Sequence, residues 1–183
     1  MRERSAWWLA AVLLWPLLCR AADVDLPELG VRLGSLPEGA AAPQVSAEPG
    51  GYEAVTHAGA ASLSIFREDQ PAPAGSDVAD PHYRATLDHK YKSIESKEQG
   101  APTALADHSA WTVVDMQHAS GTTHYTCLTY VIVDQHLYRL LVTAESSQGR
   151  PAEFDSLVVA MSGVKFEPVQ RVPQAAAGSN KHG

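Results

Sequence analysis

Apolar and β-branched residues are concentrated between residues 110 and 144, where Thr, Tyr, Val and Ile dominate, and this composition favours β-strands. Two short turn sequences, Ala119-Ser120-Gly121 and Asp134-Gln135, divide this region into three parts. The pattern predicts a meander of three antiparallel strands, Ala110–Gln117, Thr123–Val133 and Leu137–Ala144.

Apolar and polar residues alternate in a region nearer the start of the chain. Tyr52–His57 and Ala61–Arg67 flank a short glycine-containing turn, which predicts a β-hairpin. An extended segment with a strand around Gly30–Leu36 precedes this hairpin. Gln70–Val78 is rich in proline, alanine and glycine and is predicted to be a loop.

Two segments show helical spacing. Asp80-Pro81 provides an N-cap acceptor followed by proline at the first helical position. The apolar positions of this first helix are Tyr83, Leu87, Tyr91 and Ile94, and Gly100 is its predicted end. The second helix begins at Pro151, ends at Gly163 and has the apolar positions Phe154, Leu157, Val158 and Met161.

The order of elements predicts the fold class. Strands, a helix, the meander, a helix and a short closing strand at Val164–Phe166 indicate an α+β fold, with two helices packed on an antiparallel β-sheet. Residues 22–169 are predicted to form one domain. The low-complexity residues 170–183 are predicted to be a disordered C-terminal tail.

Residues 1–21 have the layout of a cleavable secretory signal. Arg2 and Arg4 precede the 13-residue apolar run Ala6–Leu18, and Cys19-Arg20-Ala21 places small residues around a cleavage site. The run is short for a membrane span. We therefore expect a mature chain that starts near Ala22 and lies in the periplasm.

A lipoprotein with Cys19 acylated is the alternative interpretation of this segment. A bacterial lipobox needs a small residue directly before the cysteine, and Leu18 occupies that position. Ordinary cleavage is therefore favoured over a lipid anchor.

The charge balance limits the partners. Cleavage after residue 21 removes three arginines and one glutamate, which leaves 11 Lys and Arg against 20 Asp and Glu and a formal net charge of −9. This balance argues against nucleic acid and anionic lipid as partners. It is compatible with a basic protein partner, or with solubility alone.

Candidate catalytic chemistry is sparse. The chain contains no Gly-x-Ser-x-Gly, His-Glu-x-x-His, phosphate-loop or paired-cysteine motif, and no cofactor is expected. Cys127, the only cysteine after residue 21, cannot form an intrachain disulfide and lies in an apolar run that predicts a buried, inert thiol. A thiol hydrolase with His124 as base is disfavoured because residues three apart on a strand point to opposite faces.

His118 and His124 are candidate metal ligands. If the hairpin turns around Ser120-Gly121-Thr122, the two imidazoles face each other across its mouth, about 5 Å apart at Cβ. A firm metal site would need a third or fourth ligand. Two solvated histidines are the alternative.

The chain resembles the PsbP-like superfamily in three segments. Leu33–Gly39 resembles the opening strand and turn of that superfamily, Val131–Val142 resembles one of its hairpins, and Phe154–Phe166 resembles its last helix and strand. This is the fold shared by photosystem PsbP and the small Ran-binding Mog proteins. The resemblance implies a binding or assembly module without catalytic residues. Bacterial secreted relatives include proteins of unknown role and periplasmic immunity proteins that neutralise toxins delivered by type VI secretion.

The sequence therefore predicts a non-enzymatic periplasmic protein-binding module, with an immunity or inhibitor role toward a secreted, basic effector as its sharpest form. The alternative is a small-ligand or metal carrier that uses His118 and His124.

Overall fold

The computed structural model describes residues 23–91 and 100–169, so the predicted signal peptide and the predicted tail lie outside the described residues. Two sheets and two helices make up the described part. In chain order the elements are β1 (Val24–Leu26), β2 (Val31–Leu33), β3 (Gln44–Glu48), β4 (Gly51–Ala58), β5 (Ala61–Pro71), α1 (Pro81–Tyr91), β6 (Ala101–Leu105), β7 (His108–Ala119), β8 (Thr122–Val133), β9 (His136–Ser146), α2 (Ala152–Ser162) and β10 (Lys165–Phe166).

The larger sheet has seven antiparallel strands in the order β3-β4-β5-β9-β8-β7-β6. Two-residue turns connect β7 to β8 and β8 to β9. Ser120 and Gly121 have φ angles of 52° and 83°, and Asp134 and Gln135 have φ angles of 49° and 67°. Positive φ at both central residues is the property of the type I′ turn, whose twist matches that of the flanking strands.

The smaller sheet joins strands from the beginning and the end of the described residues. β2 lies in its centre and pairs antiparallel with β1 and with β10. The predicted closing strand is therefore confirmed at Lys165–Phe166, and its partner is β2. The N–H of Glu167 extends this pairing by donating to Gly30 O at 2.9 Å.

One face of the larger sheet is covered by α2 and by the smaller sheet, and we call it the α2 face. Phe154, Leu157 and Met161 of α2 are buried in the same core cluster as side chains of β5, β8 and β9. Tyr138 of β9 connects the smaller sheet to the larger one. Its hydroxyl donates to Leu29 O at 2.8 Å, and its ring lies 4.9 Å from that of Phe166.

The opposite face, here the α1 face, is covered by α1 and the loop before it. Val78 and Leu87 pack on Leu128, Tyr130 and Leu137 in a second core cluster. The predicted N-cap is confirmed, since the N–H of His82 donates to Asp80 Oδ1 at 2.8 Å. Farther along α1, the predicted stripe position Ile94 and the side chain of Tyr91 are not among the described residues.

The structure confirms the α+β class, the hairpin, the three-stranded meander and both helices. It adds the edge strands β3 and β6, which the sequence pattern did not predict. All five side chains of β3 are exposed, as are four of the five in β6, so neither strand has the alternation that burial of one face imposes. Neither helix in the described part of the chain is long and apolar enough to cross a membrane.

Replacing Tyr138 with Phe is expected to destabilise the fold by roughly 1–3 kcal/mol at neutral pH, because the buried Leu29 carbonyl loses its donor. Burial raises the pKa of Tyr138 to about 12. The neutral phenol is thus favoured in the folded state. Its contribution to the free energy of unfolding is fully present below the ordinary pKa of about 10 and is lost as the pH rises through the pKa of the folded state.

Denaturant unfolding of both proteins between neutral and strongly alkaline pH tests this. The free energy of unfolding should fall less at alkaline pH in the Tyr138→Phe variant than in the wild type. A Tyr125→Phe variant, at another buried tyrosine, should show the same fall as the wild type. Parallel curves for wild type and Tyr138→Phe would contradict the assigned role of Tyr138.

Candidate binding surface

Among the described residues, α1 and the loop before it cover one end of the α1 face, and polar side chains occupy much of the rest. The strand registers align His57, Ser62, Thr143, Thr126 and Asp115 as direct neighbours across β4, β5, β9, β8 and β7. We call this set the polar row. Alternation along each strand places all five on the face opposite α2.

The polar row has internal hydrogen bonds. The hydroxyls of Ser62 and Thr143 lie 3.0 Å apart. At the far end of the row, the buried carboxylate of Asp115 accepts from its neighbour Met116 N and from Gln117 Nε2, both at 2.8 Å. These bonds hold Ser62, Thr143 and Asp115 in fixed positions, so three of the five side chains in the row are preorganised.

A rim of larger polar groups lies beside the row, toward the tip of the β7–β8 hairpin. Glu145, His124 and Gln117 are aligned across β9, β8 and β7. His124 Nδ1 lies 3.0 Å from Glu145 Oε1, and both side chains are largely solvent-accessible. The rim therefore presents an acidic group that is oriented by a histidine.

On its other side the row borders half-buried apolar and acidic positions. Val55, Ser64 and Leu141 lie in the next cross-strand row, and Ser64 Oγ donates to the Glu53 carboxylate. The polar row, the rim and the positions Glu53, Val55 and Ser64 together form the surface that we call the open face.

The open face has no lysine or arginine among its residues, and its carboxylates are those of the exposed Glu145, the half-buried Glu53 and the buried Asp115. The basic groups of the α1 face, Arg84, Lys90 and Arg139, lie toward the covered end, and Arg139 is in the same cross-strand row as Glu53. Lys90 Nζ contacts Glu68 Oε1 at 2.7 Å, and the Arg84 guanidinium lies 3.4 Å from the centroid of the Trp111 ring. The electrostatic character of the open face is therefore acidic.

A shallow cavity of about 470 Å³ lies at one corner of the open face. Its lining includes His57, Ser62, His124, Thr143 and Glu145. The cavity offers hydroxyl, imidazole and carboxylate groups to a ligand, beside the small apolar side chains of Ala60, Ala61 and Ala144.

The structure corrects the predicted arrangement of His118 and His124. The turn has two residues, Ser120 and Gly121, so His118 pairs with Thr123 and His124 pairs with Gln117. The expected three-residue turn would have placed the histidines opposite each other. The one-residue difference sends them to opposite faces of the sheet, because side chains alternate along a strand.

The two histidines therefore have separate surroundings. His118 Nδ1 lies 2.6 Å from the hydroxyl of Thr123, and His124 contacts Glu145 on the open face. Within residues 23–91 and 100–169, no group of three His, Cys, Asp or Glu side chains is arranged to hold a metal ion.

Cys127 is buried in the α2-face core, with 3% of its surface exposed, as the sequence predicted. Burial raises the pKa of its thiol, which disfavours the thiolate that a nucleophile requires.

Comparisons with known proteins give a likeness of fold. No protein-family model matches the chain, and no curated protein matches it significantly. A crystal structure from Bacteroides thetaiotaomicron VPI-5482 is similar with a TM-score of 0.50 and 11% identity, covering 81% of this chain and 49% of that one. This chain thus spans about half the length of that protein.

A second solved structure is LpqN, described as involved in cell envelope biogenesis of Mycobacterium tuberculosis. Its TM-score is 0.42 at 16% identity, with 80% of this chain and 90% of that chain covered. At these values, neither structure says what this chain binds.

His118 and His124 are not expected to bind one zinc ion together, since the two imidazoles lie on opposite faces of the sheet. Zinc should therefore cause no shift in melting temperature that requires both histidines. Thermal unfolding of the wild type, both single alanine variants and the double variant, each with and without excess zinc, measures this. A shift in the wild type that either single substitution abolishes would contradict the register.

Proposed function

We propose that this chain is an exported, non-enzymatic protein-binding module whose open face receives a basic surface of another protein. Its sharpest form is a periplasmic immunity or inhibitor protein that neutralises a secreted effector. The proposal includes export directed by residues 1–21 and membership of the PsbP-like superfamily, whose members are mostly binding modules.

The polar row is the observation that carries this proposal. A row of short polar side chains crosses five strands on a rigid sheet, and among the described residues no helix or strand covers it. Short side chains on a sheet lose little conformational entropy when a partner docks.

The charge of the open face selects the class of partner. Glu53, Asp115 and Glu145 are its charged residues, and the mature chain as a whole is acidic. Complementary potentials accelerate encounter and exclude partners of the same sign. A surface rich in lysine and arginine fits these properties best.

The corner cavity supports a second candidate, a carrier of a small polar ligand. This version of the alternative uses His124 and Glu145, which the structure brings together at 3.0 Å, and leaves out His118. The cavity is shallow and its acidic group is exposed, so a protein surface that spans the whole open face makes more contacts than a small ligand could.

Reducing the acidity of the open face is expected to weaken binding of the partner. Tagged protein (residues 22–183) and a Glu53→Gln, Glu145→Lys variant would each be used to capture partners from periplasmic extract. The variant should bind the recovered partner at least about tenfold more weakly, because the new lysine faces a basic surface.

The matched control is Asp23→Lys with Glu38→Gln, which changes the net charge equally at exposed positions away from the open face. It should retain the partner. Absence of any stoichiometric partner for the wild type, or equal losses in both variants, would count against the proposal. A protein that captures no partner but is stabilised by a small polar compound would favour the carrier.

A further inference from the structure

The edge strand β3 has a second kind of binding surface, separate from the open face. β3 ends the larger sheet, and no other strand in the described residues pairs with its outer side. Its five side chains are all exposed, and 37% of the surface of Val45 is accessible. An unpaired edge is a template for a further strand.

The hydrogen-bond pattern shows which backbone groups of β3 point outward. Asp69 N donates to Gly50 O, so the even-numbered residues of β4 bond β5 and the odd-numbered ones face β3. By the β3–β4 register, Gln44, Ser46 and Glu48 therefore bond β4. Val45 and Ala47 direct their N–H and C=O groups away from the sheet.

Prolines limit this edge on both sides. Pro43 precedes β3 and Pro49 follows it, and neither has an N–H. The outward donors of the strand are thus confined to Val45 and Ala47, which are placed symmetrically about Ser46.

We infer that β3 pairs antiparallel with β3 of a second copy of this chain, around a two-fold axis at Ser46. Val45 then lies opposite Ala47 of the other copy, and each of these two pairs exchanges two hydrogen bonds, four in all. The larger sheets of the two copies become one continuous sheet.

The side chains are compatible with this self-pairing on both faces. On the α2 face, each pair joins the exposed Val45 to Ala47. On the α1 face, Gln44 lies opposite Glu48, an amide beside a carboxylate, and Ser46 lies opposite Ser46. No like charges oppose each other, which is the condition that cross-strand pairs require.

The side-chain pairs favour a second copy over an unrelated partner strand, because antiparallel self-pairing about Ser46 places each Glu48 carboxylate beside a Gln44 amide and leaves small side chains at the axis. The short edge and the mutual repulsion of two acidic chains make the association weak. Screening by salt should strengthen it. A basic partner on the open face should respond to salt in the opposite way.

Sedimentation velocity over a wide range of protein concentration tests the inference. The wild type should dimerise more strongly at higher salt. Val45→Pro removes an outward N–H in each copy without touching the bonds to β4, and should weaken dimerisation at least about tenfold. Glu38→Pro, in an exposed loop, is the control and should dimerise like the wild type.

Charge at the axis gives the decisive comparison. Ser46→Lys and Ser46→Glu each place like charges opposite themselves, so each should dimerise less than the wild type. An equimolar mixture should form the heterodimer. Circular dichroism melting of every variant separates weak pairing from loss of fold.

A wild type that stays monomeric at every concentration, or a dimer that survives Val45→Pro, would overturn the inference. So would a mixture that associates no better than its components. If the Ser46 variants instead changed binding of another protein in opposite directions, β3 would be the edge for a different partner.

Discussion

The fold depends on burying both faces of β8. Five consecutive residues of this strand, Cys127–Val131, are buried, so each side of the sheet centre needs a cover. α2 and the smaller sheet supply the cover on one side, and α1 with its preceding loop supplies it on the other. In the described part of the chain, α1 covers the end of the sheet near Tyr130. Polar side chains, with a few half-buried apolar ones, form the remainder of that face, and this division creates the open face.

Periodicity predicted the fold well where burial is one-sided or turn chemistry is strong. The hairpins, the meander and the segment from Phe154 to Met161 all have one of these signals. β3 and β6 were missed because exposure on both sides removes the alternation. The polar row could have been predicted only in part. Ser62, Thr126 and Thr143 alternate with apolar residues, so the sequence indicates that they share a face within their own strands. Their alignment across the sheet depends on the strand order, which no local pattern gives.

The wrong prediction for His118 and His124 shows that a change of one residue in strand register decides which face of the sheet a side chain occupies. The sequence Ala119-Ser120-Gly121-Thr122 permits a turn of two or three residues, and the choice depends on Ser120 adopting a positive φ. The twist of the long β7–β8 pair favours the shorter turn. His124 then joins Glu145 on the open face and His118 is left on the other side. A candidate metal site becomes part of an acidic binding surface.

Docking of a basic partner on the open face can be tested by photo-crosslinking. The crosslinking amino acid is placed at Thr126, in the middle of the polar row, and at Val159, which is 71% exposed on α2 on the other side of the sheet. After irradiation with the purified partner, we expect efficient crosslinking from position 126 and none above background from position 159. Crosslinking from position 159 alone would show that the partner does not dock on the open face.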